Sequence, residues 1–427
     1  MAADAAMPLV SVLMPSLNQA GFIDAAVDSV LTGQGELALE LVVADGGSRD
    51  GTLERLQALT ARHGPDRLRW VSEPDAGPAD AVNKALARAR GKVIGWLNAD
   101  DLYTPGAVGH ALRALLTHPD WLMFYGDAEH IDASGRSLGR YPTRPPEVGI
   151  DAFQAGCHIC QPTVFLRREV FERLGGLDTG LATAFDFEFW LRVFAAFPGR
   201  IGHSHRVQAA SRLHAQGITA RLRQQVAAEG VTVLARHLGS AQVHWLQTWR
   251  DESLRGLGEG AGTVAAEAPA LRARLMAQLD ELAACFSAAD LAQLRAEFAS
   301  DVRLKLADVG AACNADADGW VPRRFELRLQ RLRDRSAALW LRGTHQWPRF
   351  EPLQLTVETS WGGSLGRKLL APGPFELRLP CPAQAWNQPA WVRVSCDRTF
   401  SPAALDAGSA DTRQLAWRLL SFSHEAS

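Results

Sequence analysis

Long hydrophobic runs are missing from this sequence of 427 residues. No segment approaches the roughly 18 consecutive apolar residues of a membrane-spanning helix, so none is predicted. Residues 1–8 contain neither a basic stretch nor an apolar one, and we therefore expect no secretory signal there. These absences favour a cytoplasmic location, and they leave peripheral association with the inner membrane face open.

An excess of charge of either sign is also missing. The sequence has 45 Lys and Arg against 47 Asp and Glu, a formal net charge of −2. A nucleic-acid-binding protein needs concentrated basic surface, so no nucleic-acid partner is expected. Hydrophobic residues make up 47% and charged residues 22%, the balance of a globular protein with a large core. At roughly 150 residues per domain, the length predicts about three domains.

Cysteine is sparse, and its six positions are scattered. In a cytoplasmic chain we expect these thiols to be reduced. The motif Cys157-His158-Ile159-Cys160 has the form of half a zinc site, but no second Cys/His pair follows at finger spacing. The interpretation favoured here is that the two cysteines are small buried residues near an active site.

Residues 1–220 alternate between short apolar runs and segments with helical spacing. We predict strands over 9–14, 40–44, 68–72, 93–97 and 121–125, and helices over 22–31, 52–63 and 79–89. A further helix is expected to start at Thr104-Pro105, with Thr as the cap and Pro at the first helical position. Near-continuous apolar strands that alternate with helices predict an α/β fold with a mostly parallel, Rossmann-like sheet.

The amino-acid composition and the hydrophobic pattern change twice in the second half of the chain. Residues 221–315 are rich in Ala, Leu, Arg and Glu, which predicts a helical region that covers an acceptor site or mediates oligomerisation. Residues 316–427 contain short alternating segments punctuated by Pro and Gly, which predicts a small antiparallel β-sandwich. Seven of the 13 tryptophans lie there. The alternating pattern directs apolar side chains toward the core of a sandwich, so we favour a scaffold or interaction role over glycan binding.

Polar clusters follow four successive predicted strands. They occur at residues 15–18 (PSLN), 45–52 (DGGSRDGT), 73–77 (EPDAG) and 98–101 (NADD). Ligands of open parallel sheets bind beyond the carboxyl ends of the strands, so these clusters are expected to form one site. The adjacent carboxylates of Asp100 and Asp101 repel each other unless a proton or cation intervenes, and a hard divalent ion that also bridges a diphosphate would resolve this. An acidic turn before a helix is the simpler alternative.

The predicted helix over 79–89 has one polar face. Asp80, Asn83 and Lys84 are spaced at i, i+3 and i+4, and so share that face. This stripe predicts a nucleotide contact with Lys84 facing phosphate, although a solvated helix face has the same pattern.

The order of these motifs resembles the family 2 glycosyltransferases, in particular the bacterial O-antigen and capsule branch. Residues 10–18, 45–52, 73–84 and 95–101 carry the first part of the resemblance, and residues 161–168, 175–178, 186–192 and 212–214 carry the second. The resemblance covers about residues 9–215 and leaves the C-terminal half uncovered. We therefore expect a glycosyltransferase domain over 1–220, a helical region over 221–315 and a sandwich over 316–427.

The resemblance implies a GT-A fold, inversion at the anomeric carbon, a nucleotide-sugar donor and a divalent ion, Mn²⁺ or Mg²⁺. The donor nucleotide is UDP, GDP or dTDP, and the acceptor is a glycan or a lipid-linked glycan of a surface polysaccharide. The positions that match the family's donor site are Pro15, Asn18, Asp45, Asp75, Asp80, Asn83, Lys84, Asn98 and Asp100. Asp45 is expected to meet the nucleobase.

For the metal, the resemblance implies Asp100, Asp101 and His214, with Asp101 as the principal ligand. Asn98 stands where relatives often have Asp, which leaves two carboxylates and predicts modest metal affinity. A core or capping role for His214 is an equal alternative.

Inversion requires a carboxylate that takes the proton of the attacking acceptor hydroxyl. By position in the motif, Asp186 is the expected base, and Glu188 is the competitor. An acid at the start of the helix over 186–197 also complements the helix dipole, so a cap is the simpler interpretation.

Two other functions fit parts of the sequence. A sugar nucleotidyltransferase would have a Gly-rich triphosphate loop after the first strand, and residues 15–18 are not one. A catalytically silent glycan- or nucleotide-binding module, with the sandwich as its working part, is the alternative from another functional class.

Overall fold

The structure is a computed structural model that describes residues 9–255, 263–307, 311–345, 352–362, 364–405, 409 and 411–426. Its contacts divide the chain into two compact units, Met1–Gln242 and Val243–Ser427. The division into three domains at residues 220 and 315 stays a prediction. Among the described residues, no helix combines the length and the apolar character needed to cross a membrane.

The first unit alternates between strands and helices, as predicted. Its strands are β1 (Val10–Ser16), β2 (Leu39–Asp45), β3 (Leu68–Ser72), β4 (Val93–Trp96), β5 (Leu102–Tyr103), β6 (Met123–Ile131), β7 (Ser137–Arg140), β8 (Phe165–Arg167) and β9 (Ile201–Arg212). Its α-helices are α1 (Ile23–Leu31), α2 (Thr52–His63), α3 (Pro78–Arg88), α4 (Ala107–Thr117), α5 (Arg168–Leu174), α6 (Phe185–Ala196), α7 (Ile218–Arg221) and α8 (Arg223–Leu238).

These strands form one sheet in the order β3-β2-β1-β4-β8-β6-β9-β5, with β7 paired to β6. The first four strands in this order are parallel, and β8 is antiparallel to both of its neighbours. Parallel neighbours place their carboxyl ends at the same edge of the sheet, so the polar clusters after β1 to β4 come together there.

Burial on both faces of the sheet explains the apolar strands. Val12 and Met14 of β1 have no solvent exposure and belong to one core with the apolar face of α1. Leu13 between them points to the opposite face of the sheet and is equally unexposed. Strands covered on both sides carry continuous rather than alternating apolar sequence, which is why the pattern predicted a Rossmann-like sheet.

The predicted start of the fourth helix at Thr104-Pro105 is wrong. Gly106, with φ of 73°, occupies the cap position, and α4 begins at Ala107. The hydroxyl of Thr104 donates instead to the carbonyl oxygen of Val207 at 2.8 Å, so a tertiary contact uses the side chain that the local pattern assigned to the cap.

The second unit contains α9 (Val243–Arg255), α10 (Thr263–Glu281), α11 (Ala288–Ser300), α12 (Val302–Ala307) and α13 (Pro402–Leu405). Its strands are β10 (Ala311–Cys313), β11 (Arg324–Leu329), β12 (Ser336–His345), β13 (Leu353–Thr359), β14 (Ser364–Leu370), β15 (Gly373–Pro380), β16 (Ala390–Cys396) and β17 (Arg418–Ala426).

These strands form two antiparallel sheets, β10-β11-β16-β13-β14 and β15-β12-β17. Side chains from both sheets, among them Phe325, Leu341 and Val394, share one hydrophobic core with the fully buried Trp417. The predicted fold class is therefore confirmed, with a Rossmann-like α/β sheet, a helical region and a C-terminal antiparallel sandwich.

Candidate active site

Hydrogen bonds join the polar side chains at the carboxyl ends of β1, β2 and β3. Ser16 Oγ donates to Asp45 Oδ2 at 3.2 Å, and Ser72 Oγ donates to Asp45 Oδ1 at 2.8 Å. The end of β4 lies next to β1, where the backbone N–H of Leu97 donates to the carbonyl oxygen of Leu13. The four strand ends therefore meet at one edge, with Asp45 at the centre of three of them.

Asp45 is buried and organises the loop that follows its own strand. Its carboxylate accepts the backbone N–H groups of Gly47 at 3.0 Å and Ser48 at 2.8 Å, and also the Ser48 hydroxyl at 2.5 Å. With Ser16 and Ser72, five donors converge on this one carboxylate. Its role in the described structure is to fix the loop, and its contact with a nucleobase stays a prediction.

Pro15 and Asn18, also predicted to contact the donor, lie at the end of β1. Pro15 is in register with Ala44 of β2. Asn18 has a left-handed backbone with φ of 54°, donates its N–H to Ser48 Oγ at 2.6 Å and accepts the Arg49 N–H at 2.9 Å. Asn18 thus joins the loop after β1 to the loop after β2.

Asp75 lies over the loop after β2 at a place that glycine keeps open. A Cβ atom on Gly46 would lie 2.5 Å from Asp75 Oδ2, which is closer than any carbon side chain can approach. The other oxygen, Oδ1, accepts the Gly77 N–H at 2.9 Å. Gly46 thus makes room for a half-buried carboxylate at the edge where the donor is expected.

The helical stripe on α3 divides into two roles. Lys84 Nζ lies 3.0 Å from Asp80 Oδ2 and donates to the carbonyl oxygen of Pro74 at 2.7 Å, so its charge is balanced within the loop and helix. Hydrogen bonds from the Ala76 N–H and Lys84 lower the pKa of Asp80. Asn83 instead exchanges two hydrogen bonds with the backbone of Leu177, at 2.8 and 2.9 Å, and anchors that segment.

Asp101 follows β4 and is almost fully buried. Its Oδ1 accepts the backbone N–H of Arg212 at 2.7 Å, and its Oδ2 accepts the side-chain amide of Asn98 at 3.3 Å. Burial and the neighbouring charge of Asp100 raise the pKa of Asp101 well above its ordinary value. Both oxygens already have donors from the chain, which weakens the predicted ranking of Asp101 as the principal metal ligand.

Asp100 is the more accessible of the two acids and lies beside the predicted histidine. His214 Nε2 is 2.9 Å from Asp100 Oδ2, and the His214 ring packs on Phe22 with centroids 4.9 Å apart. Arg212 Nε donates to the backbone oxygen of Asp100 at 2.7 Å, which fixes this turn against β9. The structure thus brings Asp100 and His214 together at the carboxyl edge.

Asp186 lies in the first turn of α6, near the end of β4. Trp96 of β4 stacks on Phe185 with ring centroids 5.7 Å apart, and so joins the strand end to the start of this helix. The Phe187 N–H donates to Asp186 Oδ1 at 2.7 Å. Burial raises the pKa of Asp186 to about 6 despite hydrogen bonds from the backbone. Within the described part of the chain, no basic side chain offsets this charge.

Glu188 has a different environment from Asp186. Its two carboxylate oxygens each lie 2.9 Å from Arg192 Nε, and Oε1 is 3.0 Å from His237 Nε2. Removing one partner of such a buried ion pair is costly, and a carboxylate held by an arginine and a histidine has little freedom to accept a substrate proton. The structure therefore favours Asp186 over Glu188 as a base.

Glu229 of α8 is a positioning residue that the sequence motifs did not reveal. Its carboxylate accepts the backbone N–H groups of Ala182 at 3.0 Å, Thr183 at 2.8 Å and Ala184 at 2.9 Å, just before α6 begins. Although burial opposes the charged form, these hydrogen bonds lower the pKa of Glu229. Glu229 thus orders the segment that leads into α6. The cap position itself is Ala184, which has no side-chain cap hydrogen bond, and Asp186 lies in the first turn rather than at the cap.

Glu229→Gln is expected to lower the free energy of unfolding by about 1–3 kcal/mol, because an amide offers one acceptor oxygen where the carboxylate offers two. Loosening the start of α6 also displaces Asp186, so we expect turnover to fall by about tenfold. Thermal unfolding and initial rates measure the two effects. The exposed Glu172 of α5 supplies a matched control, Glu172→Gln. If Glu229→Gln and Glu172→Gln had the same stability and the same initial rate, the positioning role of Glu229 would be excluded.

The motif Cys157-His158-Ile159-Cys160 lies beside Asp186. Burial, followed by the charge of Asp186, raises the pKa of Cys157 to about 12, so the thiol stays protonated at neutral pH. His158 stacks on Phe153 with centroids 4.1 Å apart. The motif therefore packs beside Asp186, in line with its interpretation as small buried residues near an active site.

Residues 11–175 match the family model of glycosyl transferase family 2. The chain is 28% identical over 226 residues to an uncharacterized glycosyltransferase of Rickettsia prowazekii, covering 50% of this chain and 66% of that protein. It is 35% identical over 129 residues to the chondroitin synthase of Pasteurella multocida, covering 30% of this chain and 13% of that protein. Across these two relatives, the chain spans less than two thirds of the relative's length.

Two solved structures were found to be similar to parts of this chain. Staphylococcus aureus TarS in complex with UDP-GlcNAc is 17% identical, with a TM-score of 0.49 over 70% of this chain and 87% of that chain. The mannosyltransferase PcManGT of Pyrobaculum calidifontis in complex with GDP-Man and Mn²⁺ is 20% identical, with a TM-score of 0.43 over 73% of this chain and 88% of that chain. Because both TM-scores are below 0.5, the fold of this chain is assigned from its own strand order.

Proposed function

We propose that the chain, whose residues 11–175 match the model of glycosyl transferase family 2, transfers a sugar, with inversion, from a nucleotide-sugar to a hydroxyl of a glycan or lipid-linked acceptor. The observation that carries this proposal is Asp186, a half-buried carboxylate without a basic partner, next to the strand end that bears Asp100 and Asp101. The relative named chondroitin synthase supports the synthesis of a surface polysaccharide as the process.

We assign Asp186 as the general base. As the acceptor oxygen forms its bond to the anomeric carbon, its proton passes to the Asp186 carboxylate, and the bond from that carbon to the diphosphate breaks. The electron pair of the broken bond leaves with the diphosphate. A pKa of about 6 suits this step, because the carboxylate is ionised near neutral pH yet more basic than an ordinary aspartate.

We assign the divalent ion, Mn²⁺ or Mg²⁺, to Asp100 and His214. The 2.9 Å separation of Asp100 Oδ2 and His214 Nε2 fits two adjacent ligands of one ion. Such ions are commonly held by one or two carboxylates together with substrate phosphates, so a small protein ligand set is sufficient. When bound, the ion would offset the negative charge of the departing diphosphate. Asp101 orients this turn through Arg212 and Asn98.

For the nucleotide, we assign Asp75 as the side chain that faces the ligand and Asp45 as the organiser of the loop beneath it. Asp75 keeps one oxygen over Gly46, whereas the Asp45 carboxylate is filled by five donors of its own chain. Asp80 and Lys84 hold the loop that carries Asp75. The nucleotide that this pocket prefers among UDP, GDP and dTDP is a matter of pocket shape.

Nucleotide binding should raise the unfolding temperature of the chain in the presence of Mn²⁺. A ligand at 100 times its dissociation constant stabilises the native state by about 2.7 kcal/mol. We expect UDP, GDP or dTDP to produce this shift in thermal unfolding, and the shift to decrease when EDTA replaces Mn²⁺. Asp75→Asn is expected to reduce the shift, and the exposed control Glu172→Gln to leave it unchanged.

A screen of nucleotide-sugars for metal-dependent hydrolysis then tests turnover. Release of nucleotide diphosphate from one of them supports the proposed transfer reaction and identifies the donor. The absence of any nucleotide-dependent shift would overturn the donor site. Binding without hydrolysis or transfer would instead favour a catalytically silent nucleotide-binding module.

A further inference from the structure

One cluster of metal-ligating side chains has no part in the proposed reaction. Asp127 of β6 lies between His203 and His205 of β9: Asp127 Oδ1 is 3.1 Å from His203 Nε2, and Asp127 Oδ2 is 3.6 Å from His205 Nδ1. One ligand atom from each of the three residues lies within 4.8 Å of those of the other two. Among the described residues, no other three His, Cys, Asp or Glu side chains come together closely enough to hold one metal ion.

A local irregularity of the sheet creates the cluster. β6 and β9 pair in parallel with Gly126 opposite Ser204 and Asp127 opposite Val207, so β9 carries two extra residues at this point. The bulge leaves His205 unpaired and directs it toward Asp127. A Cβ atom on Gly126 would lie 2.6 Å from Gln208 Cγ, so this bulge requires glycine at the facing position. Bulges of this kind re-aim side chains near functional sites.

The environments of the three side chains differ in a way that suits an ion. The side chain of His203 is 5% exposed, and its ring packs against Tyr125 with centroids 4.9 Å apart, which holds it in place. His205 is 85% exposed and closes the group from the solvent side. The Asp127 carboxylate also pairs with Arg140 at 3.3 Å, but the Arg140 side chain is 65% exposed, and such exposed ion pairs contribute little free energy.

The three side chains are close enough to share one small ion. Zinc binds histidine nitrogen and carboxylate oxygen at about 2.0–2.2 Å, which places neighbouring ligand atoms of a tetrahedron about 3.3 Å apart. The separations of 3.1 and 3.6 Å, which are measured to Oδ1 and Oδ2 of Asp127 respectively, lie on either side of that value. Two nitrogen ligands also favour zinc over manganese or magnesium, which prefer oxygen.

We propose that Asp127, His203 and His205 bind a zinc-type divalent ion at a site separate from the donor site. Three protein ligands leave one position open to solvent beside the exposed His205, and the ion would join β6 to β9 across the bulge. Arg140 gives up its ion pair with Asp127 when the ion binds. The proposed donor-site ion is a different ion, which Asp100 and His214 would hold together with oxygens of the donor diphosphate.

The test is isothermal titration of the untagged, EDTA-treated full chain with ZnCl₂, repeated with MnCl₂. We expect one zinc site on the native chain, with manganese binding there at least about tenfold more weakly. His205→Ala changes an exposed side chain and leaves the core intact, and Asp127→Asn keeps the shape of the carboxylate. Each is expected to weaken zinc binding at least about tenfold. Circular dichroism checks the fold of each variant.

Two controls separate this site from other sources of zinc binding. His118→Ala removes an exposed histidine elsewhere in the same unit, and Asp100→Asn disables the proposed donor-site ion; both are expected to bind zinc as the native chain does. Native-like zinc binding by His205→Ala and Asp127→Asn would overturn the proposal. Loss of zinc binding in Asp100→Asn alone would assign the ion to the donor site, and would also overturn it.

Discussion

Asp186→Asn is expected to lower the rate of sugar transfer by about 10²- to 10⁴-fold, the usual contribution of a positioned general base. The amide cannot accept the proton of the acceptor hydroxyl, although its oxygen can still accept the Phe187 N–H that the carboxylate accepts now. Nucleotide affinity should stay close to that of the native chain, because the described contacts of Asp186 involve the start of α6. Initial rates with donor and acceptor, together with nucleotide titrations, measure both quantities.

Glu188→Gln is the matched control for this loss. It removes a carboxylate two residues away that is held by Arg192 and His237. We expect this control to lower the unfolding temperature, since a broken buried ion pair leaves charge uncompensated, and to keep most of the turnover. Asp186→Asn should not lower the unfolding temperature, because burial raises the pKa of this acid and so disfavours its charged form. The opposite pattern, with turnover lost in Glu188→Gln and kept in Asp186→Asn, would move the base to Glu188.

The pH dependence of the reaction follows from the same residue. A base works in its deprotonated form, and burial raises the pKa of Asp186 to about 6. With saturating Mn²⁺, kcat/KM should therefore reach a plateau above about pH 6 and fall tenfold for each pH unit below it. An ordinary aspartate would lose activity only below about pH 4. A profile that stays flat from pH 7 to pH 5 would contradict the assignment of Asp186 as the base.

The sequence predicted the parts of the fold that depend on local pattern. Strands such as Leu68–Ser72 and helices such as Thr52–His63 have the predicted bounds, because apolar periodicity and turn residues act over a few positions. The sequence also predicted that four polar strand ends lie at one edge of the sheet, since this depends only on the parallel pairing of the strands. Where tertiary contacts compete with local signals, the prediction was wrong, as at Thr104, whose hydroxyl serves β9 rather than a helix cap.

The environment of each site residue could not be predicted in the same way. Glu229 reaches the start of α6 from a helix more than forty positions downstream, and no spacing rule connects the two. Motif position ranked Asp186 above Glu188 but could not show the ion pair that engages Glu188, because that pair includes His237 of α8. Long-range hydrogen bonds determine which carboxylates already have donors from the chain and which can still bind a ligand. The linear sequence pattern does not contain these hydrogen bonds.

Asp100→Asn is expected to raise the Mn²⁺ concentration for half-maximal activity by about 10- to 100-fold. Asp100 Oδ2 is the carboxylate oxygen next to His214, and an amide oxygen without charge is a weaker ligand for a hard ion. Asp101→Asn should change that concentration much less, because both oxygens of Asp101 already accept hydrogen bonds from Arg212 and Asn98. Activity measured across a Mn²⁺ titration compares the two variants.

The two neighbouring acids make this comparison well matched, since each substitution removes one charge from the same turn. Burial and the charge of Asp100 raise the pKa of Asp101, so the folded state should tolerate a neutral amide at position 101, and unfolding temperatures will verify this. His214→Gln should resemble Asp100→Asn if the histidine is a ligand. A large rise in the Mn²⁺ requirement of Asp101→Asn, with little change in Asp100→Asn, would return the principal metal contact to Asp101. It would also mean that the ion displaces the Arg212 N–H from that carboxylate.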